Sequence, residues 1–134
     1  DIFAYEVDKL CRKYFNAFLG AENNGLGLAV LNKLIELNYP RLFYSGKKNK
    51  PGITTTGFDR TVNLNELSQN IKNGSIITKC KPQILQMLEF HWDLDHKPAR
   101  PEGGKHDDLV MSFMIANQML KYQYSTIPNP VIYT

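Results

Sequence analysis

Apolar positions recur with a helical period at the start of the chain. Residues 3, 7, 10, 11, 14 and 15 form one apolar side, and charged residues occupy 6, 8, 9, 12 and 13. The short apolar run at residues 17–21 indicates a buried strand, and the Asn and Gly residues behind Glu22 are typical of a turn. Helical spacing returns from residue 26 to residue 37. This region therefore predicts helix, strand, turn and helix.

The middle of the chain predicts shorter elements. A strand is expected at residues 41–44, followed by an irregular segment at 45–58 that has no apolar period. A helix is expected to begin at residue 63 or 65 and to end near 73, where a glycine follows. Residues 75–78 predict a short β-branched strand, and residues 81–92 predict a helix with a proline in its first turn.

The last predicted helix is apolar over most of its surface. It runs from His106 to about Tyr122, and a helix of this kind is packed on more than one side. The tail at residues 123–134 contains two prolines and is expected to lie extended. Helices interleaved with short strands indicate an α/β or α+β layer arrangement. We expect one domain over residues 1–122 and an extended tail behind it.

Composition is that of an ordinary soluble domain. The chain has 134 residues, of which 43% are hydrophobic and 22% are charged, enough for one adequate core. No apolar run approaches the roughly 18 residues of a membrane span, and the N-terminus lacks a basic n-region and an apolar h-region. We therefore expect an intracellular protein without a membrane partner, with both cysteines reduced. The chain does not begin with Met, which indicates a fragment or a processed product.

Basic residues cluster although the net charge is only +3. Lys47, Lys48 and Lys50 crowd one loop, and Arg60 follows it. A solvated loop accounts for this cluster, and a patch that follows the phosphate backbone of DNA is the alternative. The pattern G-x-x-x-x-G-K-[ST] is absent, so we expect no nucleotide binding by this chain. The cysteines and histidines also lack the spacing of a zinc site.

Three acidic residues and a histidine form the candidate site. Glu22 ends an apolar strand, which is where α/β sheets present functional groups, and His106, Asp107 and Asp108 begin the apolar helix. Capping of the helix by the two aspartates is the simpler interpretation. If the helix packs on the sheet, Glu22 and one aspartate converge, and divalent cations between them relieve the repulsion. Two such cations about 3.5–4 Å apart promote phosphodiester cleavage.

Three segments resemble the nuclease domain of the large terminase subunit of tailed bacteriophages. They are LGAENNG at residues 19–25, TTGFDR at 55–60 and GKHDDLVMS at 104–112, and their order and approximate spacing fit from about residue 1 to 122. The resemblance implies an RNase H-like α/β fold with a partial central sheet packed with helices. It also implies an endonuclease that uses Mg²⁺ or Mn²⁺ to cut double-stranded viral DNA during genome packaging.

The resemblance assigns roles to the candidate residues. Glu22 matches the family's second acidic ligand, and either Asp107 or Asp108 matches its last; by helical phase Asp107 lies slightly closer to the apolar face. His106 orients an aspartate, ligates a metal, activates water or is structural. The implied partners are duplex DNA and, through the parent protein, the portal and the small terminase subunit, in the host cytoplasm.

The family's first catalytic Asp has no counterpart here. In the family it lies on an early strand, upstream of the helix that precedes the glutamate strand, whereas this chain begins with that helix. Asp1 is at the chain end and Asp8 is on the polar side of the helix, so neither suits the role. The sequence therefore predicts the C-terminal part of a nuclease domain without its first strands. We expect this fragment to bind metal weakly and to be a weak or inactive nuclease.

Two other classes of function stay open at this point. One is a catalytically inactive module that docks on DNA or on the portal, for which metal would not change thermal stability. The other is a different RNase H-like nuclease of the transposase or resolvase type, for which cutting would depend on DNA sequence or branch structure.

Overall fold

The structure is a computed structural model that describes residues 2–45, 50–90 and 106–123, apart from the side chains of residues 57 and 58. Its elements are mixed α and β: α1 (Ile2–Lys13), α2 (Gly25–Glu36), β1 (Tyr44–Ser45), β2 (Lys50–Pro51), α3 (Gly57–Lys72), α4 (Lys81–Glu89) and α5 (Asp108–Gln123). Two compact units divide the chain. Unit 1 comprises Asp1–Thr55 and Met119–Thr134, and unit 2 comprises Thr56–Gln118.

Two extended segments that pair in parallel form the centre of unit 1. The Leu19 N–H donates to the Arg41 carbonyl at 2.9 Å, and the Leu19 carbonyl accepts from the Phe43 N–H at 2.8 Å. Leu19 and Leu42 form a parallel bridge, with α2 between them in the chain. The predicted strand at residues 17–21 is therefore an extended segment with isolated bridges rather than a regular strand.

A second parallel bridge lies where the Glu22 segment ends. The Ile53 N–H donates to the Ala21 carbonyl at 2.8 Å, and the Asn23 N–H donates to the Ile53 carbonyl at 2.7 Å. Glu22 and Ile53 are the bridged pair. The irregular segment predicted at residues 45–58 is thus wrong in part, because β2 lies within it and pairs antiparallel with β1, Tyr44 opposite Pro51.

The start of α3 also differs from the prediction, which placed it at Asn63 or Asn65. The Thr56 hydroxyl accepts from the Asp59 N–H at 3.2 Å, and the Asp59 carboxylate accepts from the Thr56 N–H at 3.2 Å. This reciprocal capping box begins the helix at Gly57. The Thr56 hydrogen bonds also lower the pKa of the Asp59 carboxyl. The asparagines lie inside the helix because an earlier cap satisfies its first amides.

The predicted strand at residues 75–78 is wrong. The Ser75 N–H donates to Asn73 Oδ1 at 2.9 Å, and the Cys80 N–H donates to Thr78 Oγ1 at 3.2 Å, so the segment is a turn that ends α3 and begins α4. The other helices lie where they were expected. Helix α4 ends at Glu89, and the predicted end at Trp92 lies outside the described residues, as does the tail from residue 124.

Each unit has its own hydrophobic core. The core of unit 1 contains Leu31, Leu34, Tyr39 and Leu42, against which α1 packs through Val7 and Cys11. The core of unit 2 contains Leu64, Leu67, Val110 and Met114. These cores hold the Glu22 segment in one unit and the start of α5 in the other. Among the helices of the described ranges, none is both long and apolar enough to span a membrane.

Candidate functional site

Glu22 is half-buried and stands at the carboxyl end of its extended segment, two residues before the cap of α2. Asn23 and Asn24, which follow Glu22, make different hydrogen bonds. Asn23 Nδ2 donates to the Pro51 carbonyl at 2.7 Å and ties the turn to β2. Asn24 Nδ2 donates to Glu22 Oε2 at 3.1 Å and orients the carboxylate. The ENNG sequence therefore fixes both the backbone and the side chain of Glu22.

Gly27 is a packing position beside Glu22 that the sequence analysis missed. A Cβ atom at this residue would lie 2.1 Å from the Glu22 carbonyl oxygen, closer than any side chain tolerates. Glycine thus allows the first turn of α2 to pack directly on the backbone of Glu22. The available signal was the third glycine of the segment, which the turn itself does not require.

Asp107 has a cationic partner in unit 2. Arg60 Nη2 donates to Asp107 Oδ2 at 2.7 Å, and the two side chains are only 19% and 18% exposed. The Arg60 guanidinium carbon lies 5.8 Å from the centre of the Phe90 ring. Asp107 is therefore paired with a positively charged side chain in this structure.

Arg60 was predicted as part of a DNA-binding patch with three lysines. In the structure Arg60 forms an ion pair with Asp107. Lys50 is exposed on β2, and Lys47 and Lys48 lie outside the described residues. The DNA-binding patch stays a prediction for the three lysines and for Arg60, whose ion pair with Asp107 does not test a contact with DNA.

The first turn of α5 is capped by a side chain from α4. Gln86 Oε1 accepts from the Leu109 N–H at 2.9 Å and from the Val110 N–H at 3.2 Å. Gln83 Nε2 donates to the Leu109 carbonyl at 3.1 Å. The simpler interpretation of the sequence was that the two aspartates cap this helix. In the structure, the Leu109 and Val110 amides donate to Gln86 rather than to an aspartate side chain. Sequence reasoning missed Gln86 because it precedes Leu109 by 23 residues.

Replacement of Gln86 by Ala is expected to lower the free energy of unfolding by about 1–3 kcal/mol, because two α5 amides lose their acceptor. Urea unfolding followed by circular dichroism measures the change. Gln69→Ala is the matched control, since Gln69 is an exposed residue of α3 in the same unit and should change stability by less than about 0.5 kcal/mol. Equal losses in the two variants would show that the Gln86 contacts contribute nothing specific.

His106 and Asp108 lie on the surface at the start of α5. Their side chains are 86% and 83% exposed, and His106 Nδ1 is 3.6 Å from Asp108 Oδ2. A surface pair of this kind contributes little to stability because water screens both groups. The two neighbouring aspartates are therefore in different environments: Asp107 is mostly buried and paired with Arg60, and Asp108 is solvated beside His106.

The described residues do not fit a divalent metal as they stand. Among them, no group of three or more His, Cys, Asp or Glu side chains is placed to hold a metal ion. Asp107 is neutralised by Arg60, and Asp108 is mostly exposed. Glu22 belongs to unit 1 and both aspartates belong to unit 2.

Unit 2 also contains an apolar cavity of about 600 Å³. Ile71, Ile76, Ile84, Met87 and Val110 are among its lining residues, and none of the acidic candidates is. The acidic candidates therefore do not line the cavity, although Val110 in the first turn of α5 does.

Comparisons with protein-family models, with curated proteins and with solved structures give no match for this chain.

Proposed function

We propose that the chain is the C-terminal part of an RNase H-like nuclease domain of the large-terminase type. The parent protein would be an endonuclease that requires Mg²⁺ or Mn²⁺ and cuts double-stranded viral DNA during genome packaging. Its partners would be duplex DNA, the portal and the small terminase subunit, in the host cytoplasm. The family's first acidic ligand has no counterpart in these residues, so the activity is proposed for the parent protein and not for the isolated chain.

The position of Glu22 carries the proposal. The extended segment that ends at Glu22 pairs in parallel with residues that follow α2, which makes a β-α-β connection. The carboxyl ends of such segments are where α/β folds place their binding groups. A carboxylate at this end, oriented by Asn24, supports an acidic site of the kind that the resemblance implies.

Other residues would bind the DNA substrate. Lys50 is exposed, and we extend the proposal to Lys47 and Lys48 beside it in sequence. Lysines contact phosphates as mobile point charges, so they would hold the duplex without reading its sequence. Asp107 or its neighbour Asp108 is the proposed last acidic ligand, and His106 would act on Asp108, the carboxylate that it approaches.

Removal of metal is expected to abolish DNA cleavage by the parent protein. We expect Mn²⁺ or Mg²⁺ to support nicking of supercoiled plasmid, and EDTA to lower the initial rate at least about 100-fold, since bound metals supply several kcal/mol in such reactions. The 134-residue chain, assayed beside it, should cleave far more slowly. No cleavage by the parent with either metal would contradict the proposal, and cleavage confined to branched or specific sequences would favour a resolvase or transposase type.

The Arg60–Asp107 pair favours a second candidate function, a module that docks on DNA or on the portal without cutting. The ion pair between Arg60 and Asp107 can stabilise the fold without any metal at Asp107. For such a module, Mn²⁺ would leave the melting temperature of the chain unchanged, whereas a ligand that binds only the folded state raises it.

A further inference from the structure

The extended segment at residues 18–22, which ends at Glu22, is paired along one edge. The N–H and the carbonyl of Leu19 are both hydrogen-bonded to the segment that follows α2, and the Ala21 carbonyl accepts from the Ile53 N–H. Residues two apart in extended chain direct their backbone groups to the same edge. These hydrogen bonds therefore occupy one edge of the segment and leave the other.

The opposite edge of this segment belongs to Phe18 and Gly20. Among the described residues, neither the N–H nor the carbonyl of either residue has a hydrogen-bond partner. Both residues are half-buried rather than fully exposed to water. Unpaired groups along the edge of extended chain are the donors and acceptors that a further strand requires. We call the backbone groups of Phe18 and Gly20 the free edge.

Helices of unit 1 cover both faces of the segment. Leu19 and Ala21 pack against the core that contains Leu31. On the opposite face, a Cβ at Gly20 would lie 2.5 Å from Met119 Sδ, so the last turns of α5 pass directly over the segment. Extended chain that is covered on both faces is typical of the interior of an α/β sheet. The free edge therefore fits a strand between the two covering layers.

We propose that residues 131–134 of the same chain pair as a strand with the free edge. Their sequence is Val-Ile-Tyr-Thr, and β-branched and aromatic residues of this kind favour strands. Residues 124–134 lie outside the described residues, but they follow α5 and belong to the same compact unit as the free edge. The inference goes beyond the proposed function and does not depend on it.

The connection from α5 is long enough for this pairing. Met119 lies over Gly20, and α5 ends at Gln123, about 6 Å further along the helix axis. Residues 124–130 then span at most about 25 Å. Both prolines of the tail, Pro128 and Pro130, lie in this connection, so each of residues 131–134 keeps the N–H that a strand ladder requires.

The proposed pairing matches the free edge in length and in chemistry. Phe18 and Gly20 are two residues apart, about 7 Å in extended chain, and a strand of four residues covers about 13 Å. Pairing gives hydrogen-bond partners to half-buried backbone groups that are costly to leave unpaired. It also protects the free edge from pairing with other chains.

Hydrogen exchange of backbone amides, followed by NMR, tests the inference in the 134-residue chain and in a chain that ends at Pro130. The Phe18 and Gly20 amides are expected to be protected in the full chain and to exchange at least about 10-fold faster in the shortened chain, because each loses a hydrogen bond. The Leu19 and Asn23 amides donate on the paired edge and are the internal controls; their rates should change less than about 2-fold.

Fast exchange of the Phe18 and Gly20 amides in the full chain overturns the inference, because the free edge then has no occupant. Equal protection of these amides in the two chains also overturns it, and sedimentation then establishes whether a second copy of the chain is the occupant instead.

A full-length variant serves if circular dichroism shows that the shortened chain does not fold. In Ile132→Pro with Tyr133→Pro, one of the two prolines removes a donor that faces the free edge, because neighbouring residues of a strand face opposite edges. The matched control is Ile132→Val with Tyr133→Phe, which keeps both donors and should keep the protection. Unchanged protection of Phe18 and Gly20 in the proline variant overturns the inference.

Discussion

Substitution of Glu22 by Gln is expected to lower the proposed metal-dependent DNA cleavage by the parent protein at least about 100-fold. Glu22 is a proposed metal ligand, and loss of a ligand should cost more than the roughly 10–100-fold that follows the loss of a residue that only hydrogen-bonds to a ligand. The amide of Gln keeps the size of the side chain and still offers an oxygen to Asn24, whose Nδ2 lies 3.1 Å from Glu22 Oε2. Only the negative charge is removed. Initial rates of plasmid nicking with Mn²⁺ measure the effect, and the melting temperature should change little.

Glu36→Gln is the matched control for this experiment. Glu36 lies at the end of α2 in the same unit and pairs with Lys33 on the surface at 2.8 Å. Its substitution should leave the nicking rate within about 2-fold of the wild type, because a surface ion pair contributes little. Equal nicking rates in wild type and Glu22→Gln would show that Glu22 is not part of the proposed active site. Equal losses of rate in Glu22→Gln and Glu36→Gln would indicate a general effect of charge.

Substitution of Gly52 by Ala is expected to lower the free energy of unfolding by about 3 kcal/mol, from left-handed strain and overpacking together. Gly52 has a φ of +81°, and a Cβ there would lie 2.5 Å from Leu31 Cδ1 and 2.6 Å from the Ala21 carbonyl oxygen. The backbone oxygen cannot withdraw, because it accepts the Ile53 N–H at 2.8 Å. Urea unfolding followed by circular dichroism measures the loss.

Gly74→Ala separates the two contributions. Gly74 has nearly the same backbone conformation, with a φ of +74°, but a Cβ there meets nothing within 4 Å. Its substitution should cost only the left-handed strain, about 1 kcal/mol. A loss at Gly52 no larger than the loss at Gly74 would show that the chain around Leu31 and Ala21 shifts without cost.

The helices were the most predictable part of the fold, and α3 shows the limit. An amphipathic period is a local property, so α1, α2, α4 and α5 lie close to their predicted positions. The start of α3 was misplaced although Thr56 and Asp59 have the spacing of a capping box. The strand predicted at residues 75–78 was wrong for a different reason. The strand propensity of its β-branched residues is outweighed by the turn that joins α3 and α4.

The candidate site, like the fold, was only partly predictable from the sequence. The sequence identified Glu22 from its place after an apolar run, and the Asn23 and Asn24 contacts explain why that turn orients the carboxylate. It also identified Asp107 and Asp108 but treated them as nearly equivalent. The structure separates them, because only Asp107 is held by Arg60 in a mostly buried pair.

The sequence by itself determined the helical periods, the turn after Glu22 and the acidic candidates, since each depends on neighbours within a few residues. Only the tertiary structure decided which aspartate has a counter-charge, which side chain caps α5 and where glycine is required. Arg60 and Asp107 are 47 residues apart, and Gln86 and Leu109 are 23 residues apart. Such contacts arise from the packing of helices, and a local pattern of residues contains no record of which helix ends meet.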